Sequence, residues 1–337
     1  MHLHEWVYGA HYEKSYNNRL EEQVKSLQDL GKWAHKNNIQ QVVFGGDLFH
    51  TSGKVTSAVL DAAYRAFKNW PAYGLKVTAL VGNHDQATRD GTIHAMQWLE
   101  ALNWTIVSTQ HRASFAGHQV RFLAFTPVKK KIEQFLKDSN DCICFLHQGV
   151  NGAALASGYV LDEVLTKNSV KNTRYTFTGH YHQPVELTNT FSIIGSFSPL
   201  TWSDANAHNR GWIVYDTDSN TIQRHTTNLP KFIQMEYNPI LISNPDVYKN
   251  NYIRITIPPH SLTSQDSEDL RSTLLDHGAH KVELDIIPDD SDWVPQESTV
   301  YSFDKIMKEI YTKLDKRRKT VGKELQKGVY AVPEPEC

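Results

Sequence analysis

Apolar residues along the chain alternate between short runs of strand length and longer segments with helical spacing. The first run, residues 39–44, is apolar apart from two glutamines and leads into two glycines, while residues 19–37 carry a leucine, valine or alanine every three or four positions. A period near 3.6 is typical of an amphipathic helix on a sheet, and a short apolar run is typical of a buried strand. The alternation continues to about residue 180 and predicts a layered α/β fold.

The same reasoning places the other elements of this part of the chain. Helices are predicted at 19–37, 56–69, 92–102 and 129–137 and near 161–165. Strands are predicted at 39–44, 76–81, 104–107, 120–125, 142–146 and 175–178, with later strands near 191–194 and 212–215 that extend a second sheet. In the helix at 92–102, the side chains of Ile93, Met96 and Leu99 are predicted to pack inward.

Composition changes after Pro230, where several Asn-Pro and Pro-Pro breakers occur. A strand at 252–257, a helix at 267–277 and a strand at 282–287 predict a small β-α-β cap. We divide the chain into a main domain at 1–235, a cap domain at 236–295 that ends in an acidic linker, and a C-terminal helix and tail at 296–337. Residues 303–327 hold nine Lys/Arg and four Asp/Glu, which fits either a solvated helix packed on the cap or a helix that docks a partner.

Polar side chains follow four of the predicted strands at the point where each strand ends. These are Asp47, Asn83, His147, and the pair His180 and His182. Because open α/β sheets bind ligands at the carboxyl ends of their strands, we expect these side chains to meet in one crevice. Oxygen and imidazole donors suit a divalent transition metal. Ordinary loop polar groups are the alternative, but the shared position relative to the strands favours a metal site.

These motifs resemble those of the calcineurin-like metallophosphoesterases. The resemblance rests on Gly46-Asp47, Gly82-Asn83-His84-Asp85, His147 and Gly179-His180-Tyr181-His182, and it covers about residues 1–235. It implies a two-sheet sandwich flanked by helices. The longer string Gly45-Gly46-Asp47-Leu48-Phe49-His50 is similar to that of the SbcD-type DNA repair nucleases and their phage recombination-endonuclease relatives.

The resemblance also implies a pair of divalent metal ions and the residues that hold them. Mn²⁺ is the expected metal, with Mg²⁺, Fe²⁺ and Zn²⁺ as alternatives. Asp47 would bridge the two metals. His2 and His182 would bind the first metal, and Asn83, His147 and His180 would join Asp47 on the second.

The start of the sequence departs from the family pattern. The family opens with a strand that ends in Asp-x-His, and here His2 matches the histidine with Met1 as the middle residue. We therefore expect the natural reading frame to continue upstream, with an aspartate directly before Met1 and a short apolar strand before it. The 337-residue chain is expected to bind its first metal weakly.

Three further residues are assigned to catalysis through the resemblance. His84 would assist the phosphate and the leaving group, with Asp85 orienting its ring; imidazole titrates near neutral pH and suits proton transfer. His50 would contribute to exonuclease action, and the alternative is a loop histidine close to the site. Ser196 and Arg210 would hold the DNA backbone, unless the segment around them is an ordinary Gly/Ser turn.

Composition narrows the partners and the location. The formal net charge of −2 gives no overall basic field, so binding of DNA needs local patches. Cys142, Cys144 and Cys337 form an odd set that fits a reducing cytoplasm, and no run approaches a membrane span or a signal peptide. Bacterial or phage-infected cytoplasm is the expected location.

The resemblance thus implies a metal-dependent DNA exo/endonuclease subunit of an SbcCD-like repair or phage recombination complex. Its partners would be DNA and an SbcC-type coiled-coil P-loop ATPase, without a membrane; a homodimer is compatible with the sequence. Two alternatives stay open: a stand-alone phosphatase or cyclic-nucleotide phosphodiesterase with the same metals, and a catalytically weak scaffold.

Overall fold

A computed structural model describes residues 1–10, 12–13, 16–152, 163–207, 209–239, 244 and 248–288. Met1–Ile287 form one compact unit. Of the predicted helix near 161–165, residues 161 and 162 lie outside the described residues, while residues 163–165 are not helical and Leu165 forms a parallel bridge with Val150. The predicted acidic linker and C-terminal helix lie wholly outside the described residues. No helix in the described ranges is both long and apolar enough to cross a lipid bilayer.

The first two α-helices begin at residues whose side chains cap them. Asn17 accepts a hydrogen bond from the backbone N–H of Leu20, and Thr56 accepts one from Val59, so each satisfies a donor that the first turn leaves free. The α-helices are α1 (Asn18–Lys36), α2 (Ser57–Phe67), α3 (Lys129–Lys137) and α4 (Ser264–Asp276). Short 3₁₀ helices span Pro71–Tyr73, Gln97–Leu102 and Trp202–Asp204.

The predicted helix at 92–102 is wrong in its first half. The Asp90 carboxylate accepts hydrogen bonds from the hydroxyls of Thr88 and Thr92 and from the backbone N–H of Thr92. Such side-chain bonds compete with the helical ladder, so only the 3₁₀ helix from Gln97 forms. Met96 and Leu99 are fully buried as predicted, but Ile93 is 62% exposed.

The described strands form one sheet of six strands, two sheets of three strands and two sheets of two strands. They are β1 (Tyr12–Glu13), β2 (Tyr16–Asn17), β3 (Gln41–Phe44), β4 (Lys76–Leu80), β5 (Thr105–Val107), β6 (Gln110–Phe115), β7 (His118–Leu123), β8 (Ile143–Leu146), β9 (Tyr175–Thr178), β10 (Val185–Thr188), β11 (Phe191–Ile193), β12 (Gly211–Asp216), β13 (Thr221–Thr226), β14 (Phe232–Glu236), β15 (Tyr252–Ile257) and β16 (Lys281–Ile286). A parallel sheet has the order β3-β4-β5, and a six-stranded mixed sheet has the order β10-β11-β9-β8-β7-β6.

The β3-β4-β5 sheet and the six-stranded sheet share a core and form the expected α/β sandwich. Leu80 of β4 and Val107 of β5 belong to the same buried cluster as Val120, Phe122 and Phe177 of the six-stranded sheet. The outer face of β3-β4-β5 is covered by α1 and α2, and the outer face of the six-stranded sheet by α3. This layering buries the parallel strands on both sides.

The predicted β-α-β unit is present as a small parallel sheet with α4 packed on it. Its order is β14-β15-β16, so Phe232–Glu236 supplies a third strand that the sequence did not reveal. Ile253, Ile255 and Leu274 are completely buried between sheet and helix. The division of the chain at residue 235 stays a prediction.

A cavity of about 620 Å³ runs along the edges of two strands. It is lined by every residue from Gln40 to Asp47 and from Gly211 to Tyr215. Consecutive residues of a strand point to opposite faces, so a lining of this kind means that the cavity follows the strand edges. Among the described strands, β3 pairs with β4 and β12 with β13. Met1 and His2 also line the cavity.

Candidate metal centre

The loop after β3 delivers a carboxylate into the interior. Asp47 is 3% exposed, and its backbone has a left-handed φ of 53° that the preceding Gly46, at φ 100°, helps to make. A Cβ atom on Gly46 would lie 2.2 Å from Nδ1 of His147. The glycine is therefore required for the His147 ring to approach the loop. His2 and His180 also have positive φ, at 55° and 81°, and such strain is commonly stored at functional sites.

Asp47 stands between histidines from two different parts of the chain. Its Oδ2 atom is 3.2 Å from Nε2 of His147 and 3.7 Å from Nε2 of His2. Its Oδ1 atom accepts a hydrogen bond of 2.9 Å from the backbone N–H of His84. A carboxylate with a histidine on each side has the arrangement needed to bridge two metal ions.

One side of Asp47 faces the group predicted for the second metal. The Oδ1 atom of Asn83 is 3.2 Å from Nε2 of His147 and 3.0 Å from Nδ1 of His180. One donor atom from each of Asp47, His147 and His180 lies within 4.8 Å of the others. The structure thus brings together the four residues that the sequence placed on this metal.

The other side of Asp47 holds a larger set of histidines than predicted. The Nε2 atoms of His2 and His182, the predicted ligands of the first metal, are 3.1 Å apart. Donor atoms of His2, His50 and His84 also lie within 4.8 Å of one another, with 3.3 Å between Nδ1 of His50 and Nδ1 of His2. His50 therefore lies inside the site, next to the ligand set.

Burial keeps most of these imidazoles neutral. Burial, and then the neighbouring His147, lowers the pKa of His180 to about 4, and burial followed by His4 and His84 lowers that of His50 to about 4. The pKa of His2 is also depressed, chiefly by burial. Burial alone would raise the pKa of Asp47, but His147 and His2 outweigh it and hold that pKa below its ordinary value. Burial opposes the charged form of His147, but the charge of Asp47 and the hydrogen bonds of the ring together outweigh it and raise the pKa of this ring. Neutral imidazoles and an ionised carboxylate are the protonation states that bind metals, so His2, His180 and Asp47 suit divalent ions, while binding at His147 competes with a proton.

Asp85 has a different role from the predicted one. Its side chain is fully buried and accepts hydrogen bonds of 2.9 Å from the backbone N–H groups of Phe49 and Gly82. It therefore ties the loop after β3 to the loop after β4. Burial and the charge of Asp47 raise its pKa to about 6. The ring of His84 is held by the carbonyl oxygen of His50, 2.6 Å from Nδ1.

The sequence analysis predicted that Ser196 and Arg210 hold the DNA backbone. The structure disfavours this prediction. Both are buried, at 4% exposure. The guanidinium of Arg210 donates to Oδ1 of Asp204 at 2.6 Å and to the carbonyl oxygen of His182. Ser196 donates its backbone N–H to the same carbonyl at 2.8 Å and its hydroxyl to the carbonyl oxygen of Ser198. Both side chains are buried, and the two terminal nitrogens of Arg210 and the Ser196 hydroxyl have protein partners, which disfavours a direct phosphate contact.

Sequence reasoning missed Asp204. This residue is 3% exposed, and its Oδ2 atom is 3.9 Å from Nδ1 of His182. No motif or periodicity marks it in the sequence, because its partner His182 is far away along the chain. Phe125 was also missed. Its ring lies 5.9 Å from that of His180 at an interplanar angle of 25°, beside the residues predicted to bind the second metal.

Comparison with protein families agrees with this geometry. The model of the calcineurin-like phosphoesterase family matches residues 3–184, which is 182 of the 337 residues. The chain belongs to the calcineurin-like phosphoesterases. A search of curated proteins gave no match.

The family match spans most of the candidate site. Asp47, Asn83, His84, His147 and His180 all lie within it. This phosphoesterase therefore hydrolyses phosphoester bonds with the help of divalent metals, and the two His/Asp groups are the places where its residues fit such ions. The individual ligand assignments, and the choice of metal, stay predictions.

Proposed function

We propose that this phosphoesterase is a DNA nuclease that cleaves phosphodiester bonds with two divalent metals, Mn²⁺ being the expected one. The observation that carries the proposal is the place of His50. The string that ends in this histidine resembles the SbcD-type nucleases, and its ring lies 5.4 Å from the ring of His84 at an interplanar angle of 13°. A loop histidine without a role would not be expected within the predicted catalytic cluster.

The chain's own residues supply positioning and proton transfer. Bound divalent metals would activate water and neutralise the charge on the phosphate. A carbonyl oxygen accepts hydrogen bonds, so Nδ1 of His84 must carry the proton that it shares with the carbonyl of His50. The neutral ring then has its lone pair on Nε2. A proton taken up there can pass to the leaving oxygen of the substrate.

Replacement of His84 tests this assignment. In His84→Asn the amide nitrogen takes the place of Nδ1 and keeps the bond to His50, while Nε2 is lost. We expect turnover of bis-p-nitrophenyl phosphate to fall about 10²–10⁴-fold, the usual contribution of general acid-base catalysis, with Mn²⁺ affinity unchanged by calorimetry. His84→Gln, whose amide reaches towards the Nε2 position, is the matched variant. Loss of bound Mn²⁺ in His84→Asn would move this residue into the ligand set.

A local basic patch next to the site favours a polyanionic substrate. Lys129, Lys130 and Lys131 are exposed at the first turn of α3, which has neither an acidic residue in that turn nor a side-chain cap. Positive side chains add to the free N–H groups and the dipole of a helix N-terminus, so this end attracts anions. The segment follows β7 at the carboxyl edge of the sheet, four residues after Phe125.

Removal of these three charges is expected to affect DNA and spare small substrates. In Lys129→Gln/Lys130→Gln/Lys131→Gln, the slope of log affinity for duplex DNA against log salt should fall by about 2–3, because each phosphate contact contributes about 0.9. Hydrolysis of bis-p-nitrophenyl phosphate should stay at the wild-type rate. The control replaces three exposed lysines at the opposite edge of the β3 sheet, Lys36, Lys68 and Lys76. An equal fall of the salt slope in both variants would contradict a specific role of Lys129, Lys130 and Lys131 in DNA binding.

The decisive experiment compares substrates in the presence of Mn²⁺. We expect the wild-type chain to degrade linear duplex DNA, and Asp47→Asn to abolish this. Hydrolysis of phosphomonoesters or cyclic nucleotides without cleavage of DNA would instead support the phosphatase or phosphodiesterase alternative. Absence of all hydrolysis with metal bound would support the scaffold.

The ATPase partner is part of the same proposal. The basic segment predicted to dock it, at 303–325, lies outside the described residues. We expect truncation after Pro295 to keep small-phosphodiester hydrolysis and to lose ATP-stimulated degradation of duplex DNA in the presence of an SbcC-type ATPase. Unchanged co-purification of the ATPase with the truncated chain would count against docking by this segment.

A further inference from the structure

The segment that follows β11 forms a buried polar unit around His182. Asp204 and Arg210 are 3% and 4% exposed, and 2.6 Å separates Oδ1 of Asp204 from Nη2 of Arg210. The second oxygen of Asp204 accepts a hydrogen bond of 2.9 Å from the backbone N–H of Leu200. Taking an ion pair out of water is costly and gives little net stability, so its presence here calls for a role beyond holding the loop together.

This unit is attached to His182 at both the backbone and the ring. The carbonyl oxygen of His182 accepts hydrogen bonds from the guanidinium of Arg210 and from the backbone N–H of Ser196. The ring nitrogen Nδ1 lies 3.9 Å from Oδ2 of Asp204. The other ring nitrogen, Nε2, lies 3.1 Å from Nε2 of His2. One ring nitrogen therefore faces a carboxylate and the other faces the candidate metal group.

We propose that Asp204 is a positioning residue: its carboxylate faces Nδ1 of His182, favours the proton on that nitrogen and, with Arg210, orients the ring so that the lone pair of Nε2 faces the first metal position beside His2. Histidines that bind metals commonly donate their other ring N–H to a carboxylate, which sets the tautomer and the orientation of the ring. The proposal rests on the metal-dependent function proposed above, because His182 is taken as a ligand.

The tautomer of His182 in the metal-free wild-type protein is the first measurement. Two-bond ¹⁵N–¹H spectra distinguish the two neutral forms of an imidazole, and the His182→Gln spectrum assigns the signal. We expect Nδ1 to carry the proton and Nε2 to be bare. A ring that is protonated on Nε2 would overturn the proposal. This readout needs neither metal nor activity, so it stands or fails separately from the nuclease function.

Asp204→Asn provides the second measurement. The change removes the negative charge that favours a proton on Nδ1 of His182, and it leaves one amide oxygen for the two donors Arg210 and the Leu200 N–H. Without that charge, the tautomer with the proton on Nε2 is no longer disfavoured. We expect that tautomer to appear and the affinity for one Mn²⁺ ion, measured by calorimetry, to fall about 10–100-fold. A purely structural ion pair would lower the melting temperature without changing the tautomer, and that result would refute the positioning role.

Two further variants complete the comparison. Asp218→Asn makes the same change at a side chain that is 91% exposed and 3.8 Å from His118, and it should leave the tautomer and the Mn²⁺ affinity as in the wild type. Arg210→Lys keeps a positive charge beside Asp204 but cannot bond both Asp204 and the His182 carbonyl in the same way. It should retain the Nδ1–H tautomer with a smaller loss of affinity. If Asp204→Asn does not fold, the wild-type spectrum together with Arg210→Lys still decides the question.

Discussion

Asp47→Asn should abolish hydrolysis of every substrate of this phosphoesterase. The carboxylate lies 3.2 Å from His147 and 3.7 Å from His2, so its charge serves both halves of the site. An amide keeps the shape but removes that charge and one oxygen acceptor. Because loss of an outer-sphere partner costs about 10–100-fold in metal affinity, loss of this central group should cost more than about 100-fold.

Calorimetry with Mn²⁺, run beside the hydrolysis assay, checks the result. Asp218→Asn again serves as the control, since its carboxylate is exposed and remote from the cluster. His147→Ala should reproduce the loss from the other partner of the pair. Near wild-type rates for Asp47→Asn at saturating Mn²⁺ would show that the bridging assignment is wrong.

Gly82→Ala should also weaken metal binding, although it changes no predicted ligand. An added Cβ would lie 2.1 Å from Oδ1 and 2.4 Å from the backbone nitrogen of Asp47. Neither contact can be relieved without moving the loop after β3 or the loop after β4. Either movement separates Asp47 from its histidines, so we expect Mn²⁺ affinity to fall more than about 10-fold and stability to fall by about 1–3 kcal/mol.

Gly117→Ala is the matched control for a change from glycine. This residue has open space around it and a φ of 84° in the turn between β6 and β7. Its replacement should cost about 1 kcal/mol of stability through backbone strain and leave Mn²⁺ affinity unchanged. Wild-type affinity in Gly82→Ala would mean that the two loops adapt more readily than their contacts indicate.

The centre of the site could be predicted because parallel neighbouring strands place their carboxyl ends side by side. Asp47 and Asn83 follow neighbouring parallel strands of the β3-β4-β5 sheet, and His147 and His180 follow neighbouring parallel strands of the six-stranded sheet. The packing of the two sheets then brings the two pairs together. The capped helices α1 and α2 were also predictable from the sequence, since their apolar periodicity and their N-terminal capping residues indicate the same helices.

The errors arose where a distant or local side chain decides the outcome. Arg210 looked like a phosphate-binding residue because the sequence does not show that it is buried and bonded to Asp204 and the His182 carbonyl. The start of the helix at 92–102 failed because one carboxylate, Asp90, bonds three neighbouring donors. Propensity cannot foresee such pairings, which depend on the folded backbone around them.

The open strand edges beside the cavity have a practical consequence for handling this protein. Leu3 pairs in parallel with Phe49, and the backbone N–H of His2 donates to the carbonyl of Asp47. Residues joined ahead of Met1 would therefore be directed along β3, into the cavity between its edge and that of β12. A purification tag at this end is thus not a neutral addition. An apolar extended tag would add a strand to the sheet, and an oligohistidine tag would bring extra imidazoles to the candidate metal centre, so measurements of metal content need a tag-free N-terminus.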